Sequence, residues 1–348
     1  MELEITRFSA KIAESLFYKP TEIRKIATGF RFTEGPVWDP RAECLYFTDF
    51  RDYAIYRWTE GGGAALYRKD SGRAIGLALY PYAVYAKPGR LVAAESASRA
   101  ITFAGRERSR IITDNYLGKK LNSPNDLVVT KNGDICFTDP FSTELDRVRE
   151  IDFNGVYRVT PCLSGGSAEE AMDAPAIAAA LAVDGALAGE DAPAVDGALA
   201  VEEASTVEDT PAAAGTRLLY AGMPRPNGLA FSPDESVFYV NDTNEQHILA
   251  FDVHSDGTVS RRGVFAATDP SYGPGAPDGM KVDALGNIYV TGPGGIWVFA
   301  PDASPVALLH TPELAANFCF GGPGMESLYI TASSSVYKII VKSGGIQP

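Results

Sequence analysis

Histidine is scarce: the 348 residues hold three, and none has ligand spacing to another, so nothing supports an imidazole-based zinc or copper centre. No G-x-S-x-G elbow accompanies a helical pattern, which leaves a serine-hydrolase reading without its nucleophile. The four cysteines, Cys44, Cys136, Cys162 and Cys319, show neither CxxC nor Cys/His spacing. At this length they do not make a disulfide framework, and they read as reduced, buried thiols. No stretch of ~18 consecutive apolar residues occurs, which excludes a spanning helix. Met1 to Pro20 mixes Glu, Arg and Lys among its apolar positions and offers no export signal. The expectation is a cytoplasmic protein. Lys and Arg are wholly absent from residues 163–216, which carry 11 of the 44 acidic side chains.

That segment distorts the whole-chain numbers. The formal net charge is −13, but without residues 163–216 there remain 33 acids against 31 bases, a net of −2. The folded body is therefore nearly neutral, and neither nucleic acid nor an anionic membrane is an expected partner. Residues 163–216 are Ala, Gly, Pro, Asp and Glu with almost no aromatics, and VDGALA occurs at 183–188 and again at 195–200. Such composition buries too little surface to offset the ordering entropy of the chain, so a low-complexity, disordered insertion is expected. Strand-like GVYRVT precedes it and TRLLYAG follows, which places it in a turn between two strands of one sheet.

Setting those 54 residues aside leaves 294, and they repeat. Units begin at Glu34 (EGPVWDPRAECLYFTDF), Ile75 (IGLALYPYAVYAKPGRLVAAES), Asn125 (NDLVVTKNGDICFTDP), Asn227 (NGLAFSPDESVFYVNDT), Asp278 (DGMKVDALGNIYVTG) and Asn317 (NFCFGGPGMESLYITA). Six units in 294 residues average 49 each, the length of a four-stranded blade. The expected fold is all-β, a single six-bladed β-propeller domain over 1–348 with residues 163–216 inserted in a blade hairpin. The last unit stops after its third strand, SVYKIIV, and the N-terminal EIRKIATG supplies the missing outer strand. Closure in this way leaves no open sheet edge.

In a propeller the first strand of each blade lines the central channel, so the residues that open the units meet at one end of it. Glu34, Asn125, Asn227 and Asp278 open TEGPVW, SPNDLV, RPNGLA and APDGMK in the same phase. Singly, Asn-Gly, Asp-Gly and Glu-Gly are turn residues. Together, two carboxylates and two amides in one mouth are poorly satisfied without a cation, and their oxygen donors suit calcium better than zinc or copper. Asp49, Asp139 and Asp242 end strands in TDF, TDP and NDT and read as turn-bonding groups. Glu95, Ser96 and Arg99, in AESASR, are further candidates for substrate contact at the mouth.

At these segments the chain resembles the senescence marker protein, regucalcin and gluconolactonase family of six-bladed propellers, in particular its gluconolactonase branch. EGPVW, LNSPNDLVV with FTDP, PNGLAFSPDE, PDGMKVDALGNIYVTGPGGIWVF and ANFCFGG carry the resemblance. It implies a divalent cation, calcium first with magnesium, manganese or zinc as alternatives, held by Glu34, Asn227 and Asp278. It implies that Asn125 completes that shell or holds the substrate, that Asp278 doubles as the base, and that the reaction is hydrolysis of a small lactone. Relatives often carry a Glu-His pair where this chain has Glu95 and Ser96, and Asn-Gly where it has Ile75 and Gly76, which points to a less hydroxylated ligand. The rival readings are a phosphotriesterase or arylesterase on the same ion, and a non-enzymatic calcium- or sugar-binding propeller. The oligomeric state is left open.

Overall fold

The computed structural model describes residues 1–81, 91–161 and 215–346. Six antiparallel sheets, or blades, stand around one axis. Their first strands are Thr33–Asp39, Ala74–Leu79, Leu127–Val129, Pro226–Phe231, Met280–Val282 and Ala315–Gly321. Each touches the next, and the sixth returns to the first, so the ring is closed. The six-bladed propeller expected from the repeat is the fold. Second strands such as Cys44–Asp49, Ile135–Asp139 and Val237–Asp242 are buried along their whole length. A strand covered by neighbouring blades on both faces needs a continuous apolar run, whereas the outer strand Gly63–Arg68 is largely exposed.

The ring closes at the expected seam. Ile23–Thr28 pairs with Ser335–Ile340, Ile23 opposite Ile339, and completes the four strands of blade six. One feature was not foreseen: Ile5–Arg7 adds a fifth strand to blade five, Ile5 opposite Leu309, and the helix Ala10–Leu16 joins it to the seam. Ala13 and Leu16 of that helix are buried. The N-terminal segment thus covers the edges of two adjacent blades.

Cys44, Cys136 and Cys319 are buried free thiols, as expected, while Cys162 lies outside the described residues. Among the described residues, no helix is long and apolar enough to cross a membrane. The expected insertion lies outside the described residues apart from Gly215 and Thr216, but its flanks pair directly, with Val156 opposite Tyr220 and Arg158 opposite Arg217 in blade three. Replacing residues 163–216 by a short Gly/Asn turn is therefore expected to leave the melting temperature unchanged or slightly raised, since closure entropy grows only with the logarithm of loop length and shortening it gains about 2 kcal/mol at most. Loss of cooperative unfolding in that deletion would show that the segment packs on the body.

Three aspartates aim the mouth. The carboxylate of Asp49 accepts the backbone N–H groups of Arg31 and Phe32 (2.7 and 3.0 Å), that of Asp139 those of Asn122 and Ser123 (both 2.7 Å), and that of Asp242 that of Arg225 (2.8 Å). Each therefore fixes the connection two or three residues before Glu34, Asn125 or Asn227. The aspartates do bond the backbone, and what they hold is the approach to the channel.

Candidate active site

Glycines set how closely the inner strands meet. A Cβ on Gly35, whose φ is +44°, would stand 2.0 Å from the carbonyl oxygen of Ile75, and one on Gly228 the same distance from that of Asp278. No side chain fits there, so adjacent strands approach until backbone meets backbone. Hydrogen bonds hold them: Gly76 N–H donates to Asn125 O (2.8 Å), Thr48 Oγ1 to Ile75 O (3.0 Å) and Asn241 Nδ2 to Asp278 O (2.7 Å). This pinch draws the preceding side chains, Glu34, Asn227 and Asp278 among them, onto the axis.

The charges there feel one another. Burial pushes the Glu34 carboxyl well above the usual range, the charges of Asp278 and Asp126 push it further, and the Gly35 N–H on Oε2 (2.9 Å) and the Asn317 amide oppose them. Burial first, then the charge of Asp126, pushes the carboxyl of half-buried Asp278 up to about 7 against the pull of Asn227, Arg225 and Lys281. Carboxylates from blades one, three and five thus lie within electrostatic reach of one another. Asn227 donates from Nδ2 to Thr243 Oγ1 (3.0 Å), which fixes the amide, yet its buried Oδ1 has no hydrogen-bond partner among the described residues. Asn241 Oδ1 is in the same condition.

Of the residues picked out from sequence, Glu34, Asn227 and Asp278 come together. Asn125 stands at the rim of the same ring; its backbone bonds Thr138 and Gly76, and its half-buried side chain makes no hydrogen bond among the described residues. Glu95 and Arg99 are engaged elsewhere. Buried Glu95 pairs with Arg68 (3.4 Å) and accepts from Thr102 Oγ1 (2.8 Å), between blades one and two. Arg99 bonds Glu150 (3.1 Å), Lys120 O (3.1 Å) and Leu121 O, and so braces the connection into blade three. Neither joins the axial cluster.

Three cluster members were missed. Asp126 sits where four other blades have glycine. Asn317 takes in blade six the place of Asp126, Phe318 N–H donating to its Oδ1 (2.9 Å) as Leu127 N–H donates to Asp126 Oδ1 (2.8 Å), with Nδ2 directed at Asp126 Oδ2 (3.4 Å) and Oδ1 also accepting from Lys281 (3.4 Å). Lys281 is the one cation among them. The signal that reaches both is the position one after that of Asp278, which is glycine in blades one, two, four and five and polar at Asp126 and Asn317.

The donor chemistry fits a hard cation. Among the described residues no three His, Cys, Asp or Glu side chains form a metal-ligating group by themselves, and the donors here are mixed, carboxylates with amide oxygens. Two carboxylates raised by burial and then by neighbouring negative charge, and an amide oxygen buried without a partner, are what one divalent ion would satisfy.

The family model described as SMP-30/Gluconolactonase/LRE-like region matches residues 32–186 and 196–334. The gluconolactonase of Zymomonas mobilis is 30% identical, over 98% of this chain and 87% of its own. Among solved structures, a gluconolactonase from Xanthomonas campestris superposes with a TM-score of 0.73 at 25% identity, covering 98% of this chain and 95% of that one. A regucalcin from Agrobacterium tumefaciens, described as a calcium-binding protein, gives 0.66 at 16% identity over 94% and 97%, a likeness of fold.

Proposed function

Because the chain belongs to the SMP-30/gluconolactonase/LRE-like family, we propose that its axial cluster hydrolyses a small cyclic ester, a sugar lactone. The observation that carries this reading is the unpartnered Oδ1 of Asn227 beside the repelling carboxylates of Glu34 and Asp278. Glu34, Asn227 and Asp278 would hold the divalent cation, calcium by donor hardness, with Asn125 at the edge of the shell. Bound there, such an ion would polarise the lactone carbonyl and stabilise the negative charge that develops on its oxygen.

The chain supplies the rest. A carboxylate that touches both the ion and a water can take the water's proton, so Asp278 is assigned as the base, a modest one because the cation's charge would hold its pKa low. Asn125, whose side-chain amide is uncommitted, donates from Nδ2 to an oxygen of the lactone. Thr243 fixes the orientation of Asn227.

The test is a panel: glucono-1,5-lactone, an aryl lactone and a phosphotriester, each assayed with calcium, magnesium, manganese, zinc or a chelator. Sugar lactones are expected to be turned over fastest, and chelation to lower their rate at least ~10-fold. Preference for the phosphotriester or the aryl ester would favour those hydrolase activities instead. Cation binding without turnover of any ester would make the protein a binding propeller.

A further inference from the structure

Four arginines lie along one half of the mouth. Their connections, residues 50–53, 69–73, 96–99 and 140–154, all lie at the end of blades one to three from which the inner strands set out. The Arg51 guanidinium stands 5.3 Å from the ring centre of Phe32 and 5.8 Å from that of Phe50, while Arg73 covers Phe50 at 5.0 Å. Arg73 is paired with Glu144, and Arg99 with Glu150. Arg51 and Arg147 form no salt bridge among the described residues.

Arg147 is the unusual one. Its Nη1 donates to two backbone carbonyls, Ser96 O (2.8 Å) and Asn122 O (2.9 Å), the latter three residues before Asn125. Its Nε and Nη2, the edge that receives an oxyanion side-on, make no hydrogen bond among the described residues. Burial, then the charges of Arg99 and Arg73, push the guanidinium below its usual value. Asp139 lies nearby, but its oxygens are taken by the N–H groups of Asn122 and Ser123. Asp52 and Asp146, on the same connections, are exposed to solvent. A half-buried cation among like charges, held by carbonyls with its fork free, is costly unless an anion arrives.

We propose that the lactone this protein prefers is anionic, its ring bearing a carboxylate or phosphate received by the Nε–Nη2 edge of Arg147, with Arg51 and Arg73 beside it, while the ester seats on the axial cluster. The nearly neutral body offers anions no long-range attraction or repulsion, so this local arc decides. Three probes separate the cases: glucono-1,5-lactone is neutral, glucaro-1,4-lactone carries a carboxylate, and 6-phosphoglucono-1,5-lactone carries a phosphate.

The inference rests on the lactonase reading, so the test has an arm that needs no turnover. Wild type is expected to favour one of the anionic lactones over the neutral one by ~10-fold or more in kcat/KM, an advantage that shrinks at high salt. Arg147→Gln should lower that ratio ~10-fold, through KM for the anionic lactone. Arg147→Lys, which keeps the charge without the fork, should retain part of it. Equal kcat/KM for all three lactones in wild type overturns the inference, and so does an Arg147→Gln variant whose ratio is unmoved, which would leave Arg147 as a brace for the Ser96 and Asn122 connections. If no lactone is hydrolysed the lactonase reading falls, and calorimetry with glucarate and gluconate decides for Arg147. Tighter binding of the dianion that is lost in Arg147→Gln supports it, and equal binding overturns it.

Discussion

Replacing Asp278 by Asn is expected to lower kcat/KM for lactone hydrolysis by at least about a thousandfold at saturating cation, with the fold intact. The substitution keeps the shape of the side chain and leaves the Asp278 carbonyl that Asn241 bonds and Gly228 abuts. It removes one negative charge and the assigned base from the cluster. Glu34, relieved of that neighbour, should then ionise at a lower pH. Cation affinity, read by calorimetry, should weaken without vanishing, because an amide oxygen remains in place. A variant restored to full rate by saturating cation would make Asp278 a ligand alone and move the base to Glu34.

The second large effect is on stability. An aspartate ionises near 3.9 in an unfolded chain, whereas that of Asp278 is pushed up to about 7 in the fold. Between those values the folded state binds the extra proton. The stability it contributes is therefore fully present below pH ~4 and lost as pH rises through ~7, on the order of 4 kcal/mol. Glu34, shifted in the same direction, adds to the loss. In a chelator, the melting temperature should fall from pH 5 to pH 8. Asp139, which burial also pushes up to about 7, gives a slope of the same sign away from the cluster. The diagnostic is thus the part of the slope that added calcium or Asp278→Asn removes. A chelated profile that stays flat or climbs across this range would contradict the arrangement.

Much of this was legible in the sequence because a propeller repeats. Phase places Glu34, Asn125, Asn227 and Asp278 at one end of the axis without any knowledge of distances, and the strand-ending aspartates announce themselves as backbone acceptors. Position within a repeat does not say which way a side chain faces at a strand end. Glu95 ends the second strand of blade two as Asp49 ends that of blade one, yet it turns toward Arg68, a residue of the preceding blade that nothing local identifies. Arg99 is fixed by the carbonyls of Lys120 and Leu121, whose orientation is a property of the folded connection. Asp126 was hidden by its neighbour: Asn-Asp reads as one polar step, and its meaning comes from replacing the glycine of other blades. Ile5–Arg7 is three residues long, below any periodicity, and its partner lies 304 residues away.

The seam between Ile23–Thr28 and Ser335–Ile340 also sets an order of events during synthesis. Ile23 meets Ile339 only after the 315 residues between them have been made, which takes roughly 15–60 s at ordinary elongation rates. Through that interval the N-terminal strand waits without its partner, and blades one to five can only stack as an open arc whose two faces are exposed. Closing that arc is a long-range event, slow in its approach and cooperative in its completion. The ring thus acquires its axis, and the site on it, in one late step, so a nascent chain halted before its last blade would carry Glu34, Asn227 and Asp278 in full and no binding centre.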